Sequence, residues 1–273
     1  MPRRRVAPWG YAGIVVIVGI SLVPTIYMVD LSFRTTATSF QPVLVAAHPT
    51  LINYFTVLTS GHLIRFFINS AVVAVSSVLL TLVCSVMAGF AITRLKVVGR
   101  NVVFYWILSA LLIPLASLLI PLTILLKTLH GMNTYWGLIG PYTALGIPFA
   151  MLIIKGVMDS FPSELEEAAV LDGASPPQVL RQIIVPIIWP SLMVVAIWQF
   201  LFSWNEFFLA LVVMTRTSMK TMPLLPLYFE GSYMTNPGEV FAVLSIVSVV
   251  PMVVYLLVQR WFVSGLSSGG IKG

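Results

Sequence analysis

Long apolar runs separated by short charged stretches set the pattern of this 273-residue chain. A bilayer's hydrocarbon core is crossed by about 20 apolar helical residues. Runs free of Lys, Arg, Asp and Glu reach that length at residues 6–29, 66–93, 101–126, 128–154, 182–205 and 240–259. The fifth is expected to continue past Glu206 to about Met214. The pattern therefore predicts an all-α polytopic membrane protein with six transmembrane helices. It reads as a single transmembrane domain over residues 1–273, with spans two to six as a core bundle at about 66–262. The first run follows Arg3, Arg4 and Arg5, which suits a signal peptide. It is too long for that, and no small-x-small site follows it, so a retained helix is expected.

Composition sharpens this picture. Hydrophobic residues make up 59% of the chain and charged residues 9%, against about 25% charged in soluble domains. The formal charge is +6, but so few bases spread over so much apolar sequence cannot track a phosphate backbone. Membrane lipid is the expected surroundings, and nucleic acid is excluded as a partner. Cys84 is the single cysteine, so neither an intrachain disulfide nor a thiolate metal cluster can form. Placing both termini in the cytoplasm puts ten Lys and Arg inside and five outside, the direction that positive loops favour.

One inner loop departs from that basic character. Five of the nine acids, Asp159, Glu164, Glu166, Glu167 and Asp172, fall in residues 159–180, which hold no Lys or Arg. Ser163 and Glu166 have capping-box spacing, and three Glu crowd the start of a helix where its dipole favours anions. Leu165, Ala168 and Ala169 share a face, and Gly173 supplies a stop after about two turns. Ser175 and Pro176 then open a second helix that meets Pro186 and Pro190 at the membrane. A two-turn helix is not stable alone and must dock. It packs either on its own membrane domain or on a cytoplasmic partner with a basic socket, which the acids and the small Ala168 and Ala169 would suit.

The stretch EEAAVLDGASPPQVLRQIIVP, residues 166–186, resembles the EAA loop of ABC importer permeases. Glu167, Ala168, Ala169, Gly173, Ile183 and Pro186 match its pattern, Val185 stands where Leu is usual, and Asp172 and Ala174 complete the form common in sugar importers. Phe161-Pro162 with Glu164-Leu165, the stretch GMNTYWGLIGP at 131–141, Ser203 to Phe207 and the tail QRWFVSGLSSGGIKG resemble the carbohydrate-uptake subgroup, of the maltose-importer second-permease type. The tail departs modestly, with Gly269, Gly270 and Ile271 before Lys272 and Gly273.

This resemblance implies a permease subunit in a bacterial or archaeal cytoplasmic membrane. A second homologous permease would complete a heterodimer, two cytoplasmic ABC ATPases would bind ATP and Mg, and an extracytoplasmic binding protein would deliver a sugar substrate. Glu164, Glu166, Glu167, Ala168, Ala169, Asp172, Gly173 and Ala174, in a coupling loop at 159–186, would enter a cleft on the ATPase. The tail at 263–273, through Gly270, Lys272 and Gly273, would add a second contact. An outer loop at 217–238, with Tyr228, Phe229, Tyr233 and Asn236, is where a similar permease reaches its binding protein.

Within the spans, Gln199, Ser203 and Glu206 recur at i, i+4 and i+7, a polar stripe beside Trp198, Trp204 and Asn205. Such groups are costly in hydrocarbon and mark either a pathway or a helix contact. Flat rings and an amide suit a sugar's faces and hydroxyls. Asn69, Ser76, Ser77, Pro114, Ser117, Pro121, Pro141, Tyr142, Thr143 and Pro148 are weaker signals of the same kind.

Catalysis finds no support. Gly265 to Gly269 matches GxSxG formally, but no His or acid follows it. His48, His62 and His130 are scattered, and no metal or cofactor site is expected. No phosphate-binding GxxxxGK[ST] occurs, so the chain itself cannot hydrolyse ATP. The alternative transporter class is an ion-coupled secondary transporter for a small polar solute. Glu206 would then be the relay, and the acidic inner helix would have no purpose.

Overall fold

The computed structural model describes residues 8–39, 45–46, 48–95, 98–160, 164–230 and 236–269. Among them every regular element is helical. Five helices are long and apolar enough to cross a membrane, and a bent pair makes a sixth candidate span.

The described chain forms two units. The first comprises residues 1–63 and 225–250. It holds α1 (Pro8–Ser32), the single turn α2 (Thr36–Ser39), α3 (Ile52–Thr59) and the start of α12 (Pro237–Gly269). Side chains of α1 such as Val15, Ile17 and Ile20 are exposed, which suits a helix surrounded by lipid. Below it the chain is laced by Arg34, which is fully buried. Its guanidinium donates to Asp30 Oδ2 from Nε at 2.8 Å and from Nη2 at 2.5 Å. Asn53 Nδ2 donates to the carbonyls of Ser32 and Arg34, both at 2.8 Å. Gly238 abuts this amide and the Arg34 carbonyl so closely that no Cβ would fit.

The second unit comprises residues 64–224 and 251–273. Its frame is α4 (Leu63–Arg94), α7 (Trp136–Ser160) and a 30-residue helix over Pro176–Asn205. The last consists of α9 (Pro176–Val179), a π turn (Leu180–Ile184) and α10 (Val185–Asn205). Pro186 has no amide and its ring crowds the carbonyl four residues back. The wide turn relieves this crowding: the Val185 amide reaches five residues back, to Leu180 O. Phe90, Ile154, Met158, Ile184 and Ile188 lie in the core where these helices meet.

Three expected spans come out differently. Residues 101–126 are not one rod: α5 (Arg100–Ser109) with a 3₁₀ turn (Ala110–Leu112), and α6 (Leu115–Thr128), meet at 103°. Pro114 biases the residue before it away from helix, and Ile113 is accordingly extended at φ −90°, ψ 115°. The fourth span begins at Trp136 rather than 128, because His130 and Asn133 take positive φ of 60° and 57° in the connection. The fifth stops at Asn205 instead of running to Met214. Glu206 is extended, and a separate short helix, α11 (Phe208–Val213), follows.

Candidate functional site

The acidic loop folds as α8 (Glu164–Leu171), with three Glu in its first turn. Gly173, at φ +87°, ends it. Its amide reaches Val170 O at 3.0 Å and the Ala174 amide reaches Ala169 O at 2.9 Å, the paired bonds of a Schellman stop, which needs the left-handed conformation glycine adopts freely. Ser175 opens α9, its amide donating to Gln178 Oε1 at 2.7 Å. Ser163, expected to cap α8, lies outside the described residues, as do Phe161, Pro162, Tyr233, Gly270, Ile271, Lys272 and Gly273.

The faces of α8 are unequal. Leu165, Val170 and Leu171 are exposed, together with Glu164, Glu167, Ala168, Asp172 and Gly173. Ala169 and Ala174 pack on the α7–α10 core. Glu166, expected among the residues offered to a partner, is turned inward and buried. Both its oxygens accept from Arg94 Nε at 2.8 Å, and Arg94 Nη2 donates to Met158 O at 2.7 Å. An acid facing its own core needs a cation beside it, and the last residue of α4 provides one. Asp159 is likewise paired, with Lys155 one turn earlier. The loop that lacks bases in sequence thus takes them from its neighbours. A cavity of about 590 Å³ lies between the end of α4 and α8–α9, lined by Phe90, Arg94, Glu166, Val170 and Val179.

The polar stripe on α10 serves the inside of the chain. Gln199 is fully buried and Ser203, Trp204 and Glu206 nearly so. Gln199 Nε2 donates to Tyr142 O at 3.1 Å and to Ser203 Oγ at 3.2 Å. Tyr142 Oη donates to Glu206 Oε2 at 2.6 Å. The Glu206 carboxylate also caps α11, accepting the Leu209 amide at 2.9 Å and the Ala210 amide at 3.2 Å. Isolated from water, a carboxylate finds amide donors and a hydroxyl more cheaply than lipid. Trp198 is half-buried, stacked on Phe149 with centroids 4.2 Å apart. Asn205 is exposed, with Nδ2 donating to Leu201 O at 2.8 Å.

A second polar knot holds residues 215–222 against the bundle. Asn69 Nδ2 donates to Ser218 O at 3.0 Å and Lys220 O at 2.8 Å, while its Oδ1 accepts from Tyr135 Oη at 2.8 Å. The Met222 amide donates to Ser70 Oγ at 2.8 Å. The Arg216 amide donates to Asn133 Oδ1 at 2.6 Å. In the sequence Asn69 is one of the weaker polar signals, and Arg94 counts only among the ten inner bases. The signal for Arg94 was available: a base ending an apolar span on the same side as an acid-rich loop with no base of its own.

The family model of the binding-protein-dependent transport system inner membrane component matches residues 81–268. The chain belongs to this family. It is a non-catalytic permease subunit of an ABC importer and a multi-pass membrane protein, and such permeases work with a substrate-binding protein and an ATPase. An ion-coupled transporter is not favoured. The trehalose/maltose transport system permease MalG of Thermococcus litoralis is 34% identical over 265 residues, covering 96% of this chain and 95% of that one. The sulfoquinovosyl glycerol transport system permease SmoH of Agrobacterium fabrum is 32% identical over 255 residues, covering 92% and 89%. The trehalose transport system permease SugB of Mycobacterium tuberculosis is 32% identical over 275 residues, covering the whole of both. The same fold occurs in the crystal structure of a bacterial ABC transporter involved in the import of the acidic polysaccharide alginate, with a TM-score of 0.78 at 20% identity, over 96% of this chain and 100% of that one.

Proposed function

We propose that this chain forms one half of the membrane pathway of an ATP-driven importer for a sugar or sugar derivative, with α8 as the knob that engages the ATPase. The names of its relatives support the substrate class, since trehalose, maltose and sulfoquinovosyl glycerol are all carbohydrates or their derivatives. The observation that carries the docking role is the unequal α8: one face is fixed to the bundle, the other presents Leu165, Val170 and Leu171 among acids. Exposed apolar side chains at the tip of a short helix are costly unless a partner covers them. Glu164, Glu167, Ala168, Asp172 and Gly173 belong to that free face, and Ala169 and Ala174 hold its back.

A second, homologous permease completes the pathway as a heterodimer. Two ATPase subunits bind ATP and Mg, and an extracytoplasmic binding protein supplies the sugar. Both termini then lie in the cytoplasm, and Gly270, Lys272 and Gly273 reach the ATPase pair. Trp198, Gln199, Ser203, Trp204, Asn205 and Glu206 are the pathway residues on this chain, of which Trp198 and Asn205 keep accessible surface in this conformation.

Replacing Gly173 by Leu imposes a side chain on a left-handed backbone. In vesicles holding the full complex, ATP-dependent sugar uptake is expected to fall more than tenfold while the chain stays in the membrane; normal uptake by this variant sinks the docking role. Full uptake by the isolated chain on an ion gradient, with no ATPase, overturns the function.

A further inference from the structure

We propose that Arg94 is a positioning residue for energy coupling: it clamps the docking helix to two spans at once, so that α8 cannot move without α4 and α7. The proposal rests on the importer function above and deepens it.

Arg94 is the last residue of α4. Its Nε is shared by both oxygens of Glu166, and its Nη2 holds the carbonyl of Met158. Met158 lies in the final turn of α7 (Trp136–Ser160), where carbonyls have no partner within their own helix. One planar cation thus closes three helix ends, with partners 64 and 72 residues away in sequence. Lysine, a point donor on a flexible stem, cannot reproduce that fork.

The apolar contacts of α8 are of another kind. Ala169 and Ala174 touch the core through small apolar surfaces, and such contacts resist sliding weakly because dispersion is non-directional. A forked, part-buried ionic bond is directional and stronger than an exposed one. The two spans it joins are themselves interlocked: a Cβ at Gly89 of α4 would stand 2.9 Å from Ile154 Cγ2 of α7, so the helices meet almost backbone to side chain. A push on the free face of α8 therefore reaches α4 and α7 together. Without the clamp, the load passes along the chain into α9 and α10 and through the small apolar contacts of Ala169 and Ala174.

The test uses the complete complex in vesicles, with sugar uptake and ATP hydrolysis measured in the same sample. Arg94→Met and Glu166→Gln are each expected to lower the sugar moved per ATP at least tenfold. The exchange Arg94→Glu with Glu166→Arg, which leaves an ion pair between α4 and α8, is expected to recover at least a third of the wild-type ratio. A merely structural bond would change the yield of complex and leave the ratio alone. An unchanged ratio in the assembled single variants overturns the clamp, as does a loss that the exchange does not recover. Should the single variants not assemble, Arg94→Lys decides: a drop of threefold or more supports the proposal and a wild-type ratio overturns it. A wild-type complex that moves no sugar on ATP overturns the function and the clamp together, whereas uptake that is normal in every variant removes the clamp alone.

Discussion

Gly146 of α7 faces the Gln199 amide so closely that a Cβ there would collide with it, and Thr81 Oγ1 lies beside the same point, 3.1 Å from where that Cβ would stand. Overfilling such a contact costs about 1–3 kcal/mol. Gly146→Ala is therefore expected to lower the unfolding temperature of the purified complex, and an unchanged temperature would show that α7 and α10 part easily. Glu206 makes a second prediction at this scale. Glu206→Ala removes a helix cap and strands the Tyr142 hydroxyl, at a cost of about 2 kcal/mol or more, whereas Glu206→Gln retains an acceptor and is expected to lose less. Equal losses in the two thermal scans would contradict the capping role. The spacing of Gln199, Ser203 and Glu206 was legible in the sequence, but what they faced was not. Periodicity says which side chains share a face and nothing about the element opposite, and Tyr142 lies 57 residues from Gln199 and 64 from Glu206.

The short helix of the acidic loop shows where local chemistry suffices. Three acids at its start and Gly173 at its end are instructions written within ten residues, and α8 and its Schellman stop follow them. The inward turn of Glu166 depended on Arg94, 72 residues earlier, and no local rule reaches that far. The free face carries its own prediction. Leu165→Asp with Leu171→Asp adds charge where both side chains are exposed at 57% and 88%, so the fold of this chain is expected to survive. Recovery of the ATPase with the purified permease should fall about tenfold; undiminished recovery would place the docking surface elsewhere. The bent third span has a similar lesson. Residues 101–126 are uncharged and mostly apolar, and hydropathy is blind to the direction of a chain. The one warning was Pro114, an ambiguous one, because Pro141 and Pro148 sit inside α7 without breaking it.

Across the whole molecule, burial follows position in the chain. The most apolar window of α1 is 6% buried and that of α12 is 11%, against 50% for α7. The bend at Ile113 does not fit this scheme. Each arm, 13 and 14 residues long, spans only about 20 Å at 1.5 Å per residue, less than the hydrocarbon thickness of about 30 Å. The carbonyls ending the first arm have lost their helical partners, and acyl chains can offer them none. Yet Leu111, Leu112 and Ile113 are exposed on this chain, Leu112 at 84%. A spin label at position 112, in a Cys84→Ser background, is expected to be shielded from membrane-dissolved oxygen in the assembled importer, while one at position 17 collides with it freely. The corner is thus a seam that oil cannot seal: the backbone there calls for water or protein beside it.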